Sequence, residues 1–84
     1  MSKQEVLDIL YQRQGLITPD VICRQLHGFH HRSSVYSYLF RLHKQGLLLR
    51  QMVHGRIAYQ ISQRGIERLH FFRSQTKLQP GGLR

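Results

Sequence analysis

The apolar residues of this chain change period at Gly46, and that change limits the folds open to it. Upstream, Val35, Tyr38, Leu39 and Leu42 follow the i, i+3, i+4, i+7 spacing of one helix face. Downstream, Leu47-Leu48-Leu49-Arg50-Gln51-Met52-Val53 is apolar and strand-like, and Arg56–Ile61 places Ile57, Tyr59 and Ile61 on one face of a return strand. His54-Gly55 between them suits a two-residue hairpin turn, because glycine accepts positive φ. The order of periods predicts a hairpin set among helices.

The flanking segments carry their own start and stop signals. Ser2 to Gln14 reads as a first helix with a Ser2-x-x-Glu5 capping box, an apolar face of Val6, Ile9 and Leu10, and a stop at Gly15. Leu16-Ile17-Thr18 is a short extended link. Thr18 then serves as N-cap, Pro19 takes the first helical position and Asp20 sits near the positive end of the dipole. This second helix is expected from Pro19 to about His27, burying Val21, Ile22 and Leu26, with Gly28 closing it and Phe29-His30-His31 as the turn. The third helix runs from Arg32 to Gly46. After the hairpin, Ser62 caps a last helix from Gln63 to about Arg73 that buries Ile66 and Leu69. Gly65 in its first turn slightly disfavours that helix. Residues 74–84 turn polar and are expected to form a disordered tail. The expected architecture is one domain over residues 1–73, mainly α with a small β-hairpin, in which the second and third helices form a helix-turn-helix.

Charge narrows the function. Thirteen Lys and Arg against four Asp and Glu give a net charge of +9. The acids are Glu5, Asp8, Asp20 and Glu67, so no carboxylate side chain occurs between Val21 and Ile66, an interval holding seven Arg and Lys and five His. A solubilising surface usually mixes both signs. A one-signed stretch on a small domain instead favours a polyanion, because neutralised phosphates release condensed counterions. The third helix concentrates the pattern: behind its apolar stripe stand Arg32, Ser33, Tyr36, Ser37, Arg41 and Lys44, with no acid among them.

Within a DNA-binding reading these residues divide by position. Arg32, Ser33 and Ser34 lie in the first helical turn, where amides and hydroxyls suit phosphate oxygens; the alternative is that a serine simply caps the helix. Tyr36, Ser37 and Arg41 occupy the outward stripe and would reach base edges in a major groove. Arg41 has two available roles, a bidentate contact to guanine O6 and N7 or a phosphate anchor. Lys44 at the far end is a phosphate contact or a solvated lysine. Phe40, beside the apolar stripe, reads as the periphery of the core.

The motifs resemble a known family. Ser33-Ser34-Val35-x-x-x-Leu39-x-x-Leu42-x-x-x-Gly46-Leu47-Leu48 is similar to the recognition helix and first wing strand of MarR- and PadR-type bacterial transcriptional regulators. Tyr59-x-Ile61-Ser62-x-x-Gly65-x-x-x-Leu69 looks like their second wing strand and following helix. The likeness spans about residues 3–73. It implies a winged helix-turn-helix fold that binds double-stranded DNA, with the third helix in the major groove and His54 and Arg56 at the wing on the adjacent backbone or minor groove. The wing here is shorter than in MarR-type proteins. The left-handed-DNA readers are a poorer fit, since this chain has no Trp and no Pro in its wing.

Two other classes stay open: a protein-interaction winged helix inside a larger assembly, using Tyr36, Phe40, Phe71 and Phe72, and RNA binding. Phe71 and Phe72 are adjacent and point about 100° apart, so one core cannot easily bury both; a homodimer contact through the last helix would hide the second. His27-x-x-His30 with His31 and the lone Cys23 lacks zinc-finger spacing, so no metal is expected. There is no nucleophile motif, paired-carboxylate constellation or glycine-rich phosphate loop. No enzymatic activity, cofactor or small-molecule ligand is therefore expected. One cysteine, a start that goes straight into a helix pattern and the lack of a long apolar run suggest a cytoplasmic protein without a membrane span.

Overall fold

Three helices lead into an antiparallel hairpin, and a fourth helix leaves it. The computed structural model describes residues 1–81. Its elements are α1 (Lys3–Arg13), α2 (Pro19–Gln25), α3 (Arg32–Lys44), β1 (Leu48–Val53), β2 (Arg56–Ile61) and α4 (Gln63–Gly81). The mainly helical layout with a two-stranded hairpin agrees with the expected order of elements. No helix among the described residues is long and apolar enough to cross a membrane.

The core lies between α1, α3, the base of the hairpin and α4. Val6, Leu7, Leu10, Ile22, Val35, Leu39, Leu42, Leu47, Leu48 and Leu69 are almost wholly buried. Burial of each such side chain is worth about 1.5–3 kcal/mol relative to exposure. On α1 the buried face is Val6, Leu7 and Leu10, while Ile9 packs at its margin. On α2, Pro19 and Ile22 go inward with Leu26 just beyond, and Val21 stays half-buried instead of joining the core. At 100° per residue Val21 stands about 160° from Pro19 and about 100° from Ile22, off the buried side of α2.

Caps explain most of the boundaries. Ser2 Oγ accepts the Glu5 N–H at 3.1 Å, one half of the expected capping box. The other half is redirected: the Glu5 carboxylate accepts the His27 N–H at 2.8 Å and ties α1 to the end of α2. Thr18 occupies the N-cap of α2 without a side-chain hydrogen bond. That helix ends at Gln25, two residues before its expected end, so the connection to α3 spans residues 26–31.

The hairpin has the expected turn. His54 and Gly55 have φ of 50° and 75°, the double left-handed geometry of a type I′ connection, with Val53 paired to Arg56. Leu48 pairs with Ile61, Arg50 with Tyr59 and Met52 with Ile57, which puts these six on one face of the sheet. The Leu16-Ile17-Thr18 link does more than connect. Ile17 and Tyr59 exchange N–H···O bonds, both 2.8 Å, so β2 is flanked by β1 on one side and a one-residue bridge on the other.

A junction at Gly46–Leu47 locks the hairpin between α3 and α4. The Leu47 N–H donates to Leu42 O at 3.0 Å, and Ser62 N–H donates to Leu47 O at 3.0 Å. Ser62 Oγ donates to Gly46 O at 2.6 Å and accepts the Gly65 N–H at 3.0 Å, capping α4 as its position predicted. Gly65, out of place by helix propensity, is required by proximity. A Cβ there would overlap the Leu47 carbonyl oxygen and stand 2.8 Å from Ile61 Cγ1. From that cap α4 continues to Gly81, eight residues beyond its expected end at Arg73. Residues 74–81 are thus helical where a disordered tail was expected, and the rest of that tail lies outside the described residues. Ser74–Gln79 contains no Gly or Pro to stop the hydrogen-bond ladder, and polar composition alone does not.

Candidate nucleic-acid interface

The apolar back of α3 fixes which side chains face outward. Val35, Leu39 and Leu42 are buried and Tyr38 is half-buried, so at 100° per residue the opposite side presents Ser33, Ser37, Phe40, Arg41 and Lys44. All nine candidate residues are exposed: Arg32, Ser33, Ser34, Tyr36, Ser37, Arg41 and Lys44 on α3, and His54 and Arg56 at the hairpin tip. Neither Ser33 nor Ser34 caps the helix. The N-cap is His31, without a side-chain hydrogen bond, and no acid stands in the first turn. The first amides of α3 therefore have no side-chain acceptor, which leaves a positive helix end beside Arg32.

The outward residues fall into three groups. In the first, Asp20 at the start of α2 reaches across to α3. Tyr36 Oη donates to Asp20 Oδ1 at 3.2 Å, and Arg32 Nε lies 3.4 Å from the same oxygen. Arg56 joins these from the hairpin, lining a cleft with Thr18, Pro19, Asp20, Tyr36 and Ile57. Burial, then the hydrogen bond to Asp20 and its charge, push the Tyr36 phenol above its ordinary value of 10.0, against the opposing pull of Arg32 and Arg56. Tyr36 therefore stays a neutral donor throughout the physiological range.

The second group surrounds Phe40. The Arg50 guanidinium from β1 lies 5.4 Å from the ring centroid and Lys44 Nζ lies 5.8 Å from it, both at cation–π distance. Phe40 is 44% exposed, so its ring opens onto the outward surface from beside the apolar stripe. The third group is Arg41 with Tyr38: the guanidinium sits 5.9 Å from the Tyr38 ring on the opposite flank of α3. Burial raises the Tyr38 phenol above 10.0, while Arg41 opposes the shift.

Asp20 escaped sequence reasoning as a member of this surface, and Arg50, lower on its strand than the wing tip, reads from the sequence as only a weaker candidate contact. Asp20 served there only as a helix-dipole partner of α2, and nothing local in the sequence reveals that it meets Arg32 and Tyr36. Arg50 left a usable signal: it is two residues from Leu48, hence on the same strand face as the buried side chains and the one that turns toward α3. The remaining acids stand elsewhere. Glu5 is tied to His27, Asp8 to Gln12 and Arg73, and Glu67 lies on α4. Asp20 is the one carboxylate that touches the α3 candidates among the described residues.

The histidine-rich connection has a local explanation. A ring nitrogen of His30 lies 2.9 Å from His27 O, Cys23 Sγ lies 3.8 Å from His30 O, and Phe29 packs edge-on against His31. Among the described residues no three His, Cys, Asp or Glu side chains gather in a way that could hold a metal ion. No protein-family model matches the chain, and no curated protein or solved structure shows significant similarity to it.

Proposed function

We propose that this protein is a winged helix-turn-helix that binds double-stranded DNA, with α3 in the major groove and the His54-Gly55 turn on the adjacent backbone or minor groove. The observation that carries this reading is the convergence of cations from three elements on the outward side of α3. Arg32, Arg41 and Lys44 come from α3, Arg50 meets Phe40 and Lys44 from β1, and Arg56 shares the Tyr36 cleft from β2. Such a face neutralises phosphates on both sides of a groove, while Tyr36, Ser37 and Arg41 stand between them to meet base edges. Regulation of transcription is the role that suits a small binder of this kind.

A single small domain offers few phosphate contacts, and pairing two copies would add both affinity and half-site length. Phe71, 55% exposed on α4 while Phe72 packs against the core, supports a homodimer through that helix. It equally supports the second reading, a winged helix that docks another protein.

Titration of random duplex DNA across a salt series separates the two. DNA binding predicts a linear fall of log affinity with log salt at a slope of about −0.9 per phosphate neutralised. Arg41→Ala and Arg56→Ala should each reduce that slope by about one contact. A flat dependence, or no binding at low salt, refutes the DNA reading.

A further inference from the structure

An exposed phenylalanine on the outward side of α3 needs a reason, and its surroundings supply one. The ring of Phe40 follows Tyr36 and Ser37 by one helical turn and precedes Lys44 by another. With Pro19, Tyr36, Arg50, Ile57 and Tyr59 it lines a recess of about 130 Å³. That is several times the roughly 30 Å³ a water-sized group occupies in a liquid, so a methyl group fits. Lys44 and Arg50 hold their charges 5.8 and 5.4 Å from the ring centroid and so frame an apolar spot with two phosphate-seeking groups. Cations so placed draw a nucleic-acid backbone toward the recess while offering no acceptor to a base edge. The apolar feature that a major groove offers such a spot is the methyl group at C5 of a pyrimidine.

We infer that Phe40 is a specificity-determining residue that receives a pyrimidine C5 methyl group. This rests on the DNA-binding reading and deepens it. Both thymine and 5-methylcytosine carry this group, so the chemistry has two sources. Loss of one buried methyl is worth about 0.8 kcal/mol, close to fourfold in affinity. Positional averaging over a short duplex does not erase the difference when every pyrimidine is changed together.

The test uses four repeating duplexes at fixed low salt: alternating dA-dT, the same with deoxyuridine for thymidine, alternating dG-dC, and the same with every cytosine methylated at C5. The expected result is about fourfold tighter binding of the thymidine duplex than of its deoxyuridine counterpart. Phe40→Ala abolishes that ratio while its salt slope stays unchanged, and Phe40→Leu keeps part of it. A matching gain on cytosine methylation makes 5-methylcytosine a second source, and its absence assigns the recess to thymine. Equal affinity within both pairs, alongside a steep salt dependence, overturns the methyl contact and leaves DNA binding standing. A ratio that persists in Phe40→Ala, with the melting temperature of the variant unchanged, removes Phe40 from the role. Absence of salt-dependent binding to all four duplexes overturns the DNA reading itself.

Discussion

Substituting Gly65 by alanine tests whether the hairpin is clamped to α4 as tightly as the structure implies. By propensity alone the change should help, since alanine exceeds glycine in a helix interior by about 0.8–1 kcal/mol. Geometry opposes it. The new Cβ would overlap the Leu47 carbonyl oxygen, stand 2.8 Å from Ile61 Cγ1 and approach the Leu47 carbonyl carbon at 3.2 Å. Two of these three atoms are backbone, so no side chain can swing away to relieve them. Leu47 O is also the acceptor of the Ser62 N–H, and moving it strains the bond that holds the N-cap of α4 to the α3–β1 junction. Overpacking costs about 1–3 kcal/mol and a lost buried hydrogen bond about 1–3 more. After subtracting the propensity gain, Gly65→Ala should destabilise by about 1–5 kcal/mol. For a domain of this size each kcal/mol shifts Tm by about 4–8 °C, so a fall of at least about 4 °C is expected. Thermal unfolding followed by circular dichroism measures it. An unchanged or raised Tm would show that α4 stands farther from the α3–β1 junction, and the shape of the proposed binding face would have to be redrawn.

The remaining predictions concern that face. Asp20→Asn keeps an acceptor for Tyr36 but removes the charge that competes with phosphate for Arg32; the Arg32–Asp20 pair is exposed, with side chains 71% and 33% accessible, so its worth is about 0.2–1 kcal/mol. Duplex affinity at low salt should therefore rise by up to about fivefold, and a decrease would mean that Asp20 orders the face for binding. The Tyr36 phenol should ionise later than its ordinary 10.0, and earlier in Asp20→Asn, when phenolate absorbance is followed through an alkaline titration. Because the folded value is the raised one, its contribution to stability is complete below pH 10.0 and is lost as pH rises through the folded value; the opposite order in the titration would refute the hydrogen bond.

How much of this was legible in the sequence follows from the range of each interaction. Period and capping are local, so α3, the type I′ turn at His54-Gly55 and the Ser62 cap could be read directly, because each depends on neighbours within about four residues. Glu5 shows the limit. Its pattern with Ser2 was visible, but the carboxylate turned to His27, 22 residues away, once folding brought the end of α2 alongside α1. The Ile17–Tyr59 bridge escaped for the same reason, since a one-residue bridge has no alternation to display. The end of α4 was misplaced because polarity was taken to end a helix, when only missing contacts or a breaker residue does so.

The interface divides along the same line. Helical spacing alone picks the outward residues of α3, yet it says nothing about what stands opposite them. Asp20 and Arg50 reach that face from two other elements, and together they change its chemistry. Asp20 holds Tyr36 and Arg32 at the end near α2, whereas Arg50 and Lys44 leave the Phe40 ring exposed between charges. One end of α3 thereby has a carboxylate among its cations and, among the described residues, the other does not. A phosphate competes with a carboxylate for Arg32, whereas among the described residues no carboxylate pairs with Arg50 or Lys44. If the face docks on a duplex, the Phe40 end engages first and most tightly, and Asp20 sets how readily the α2 end follows.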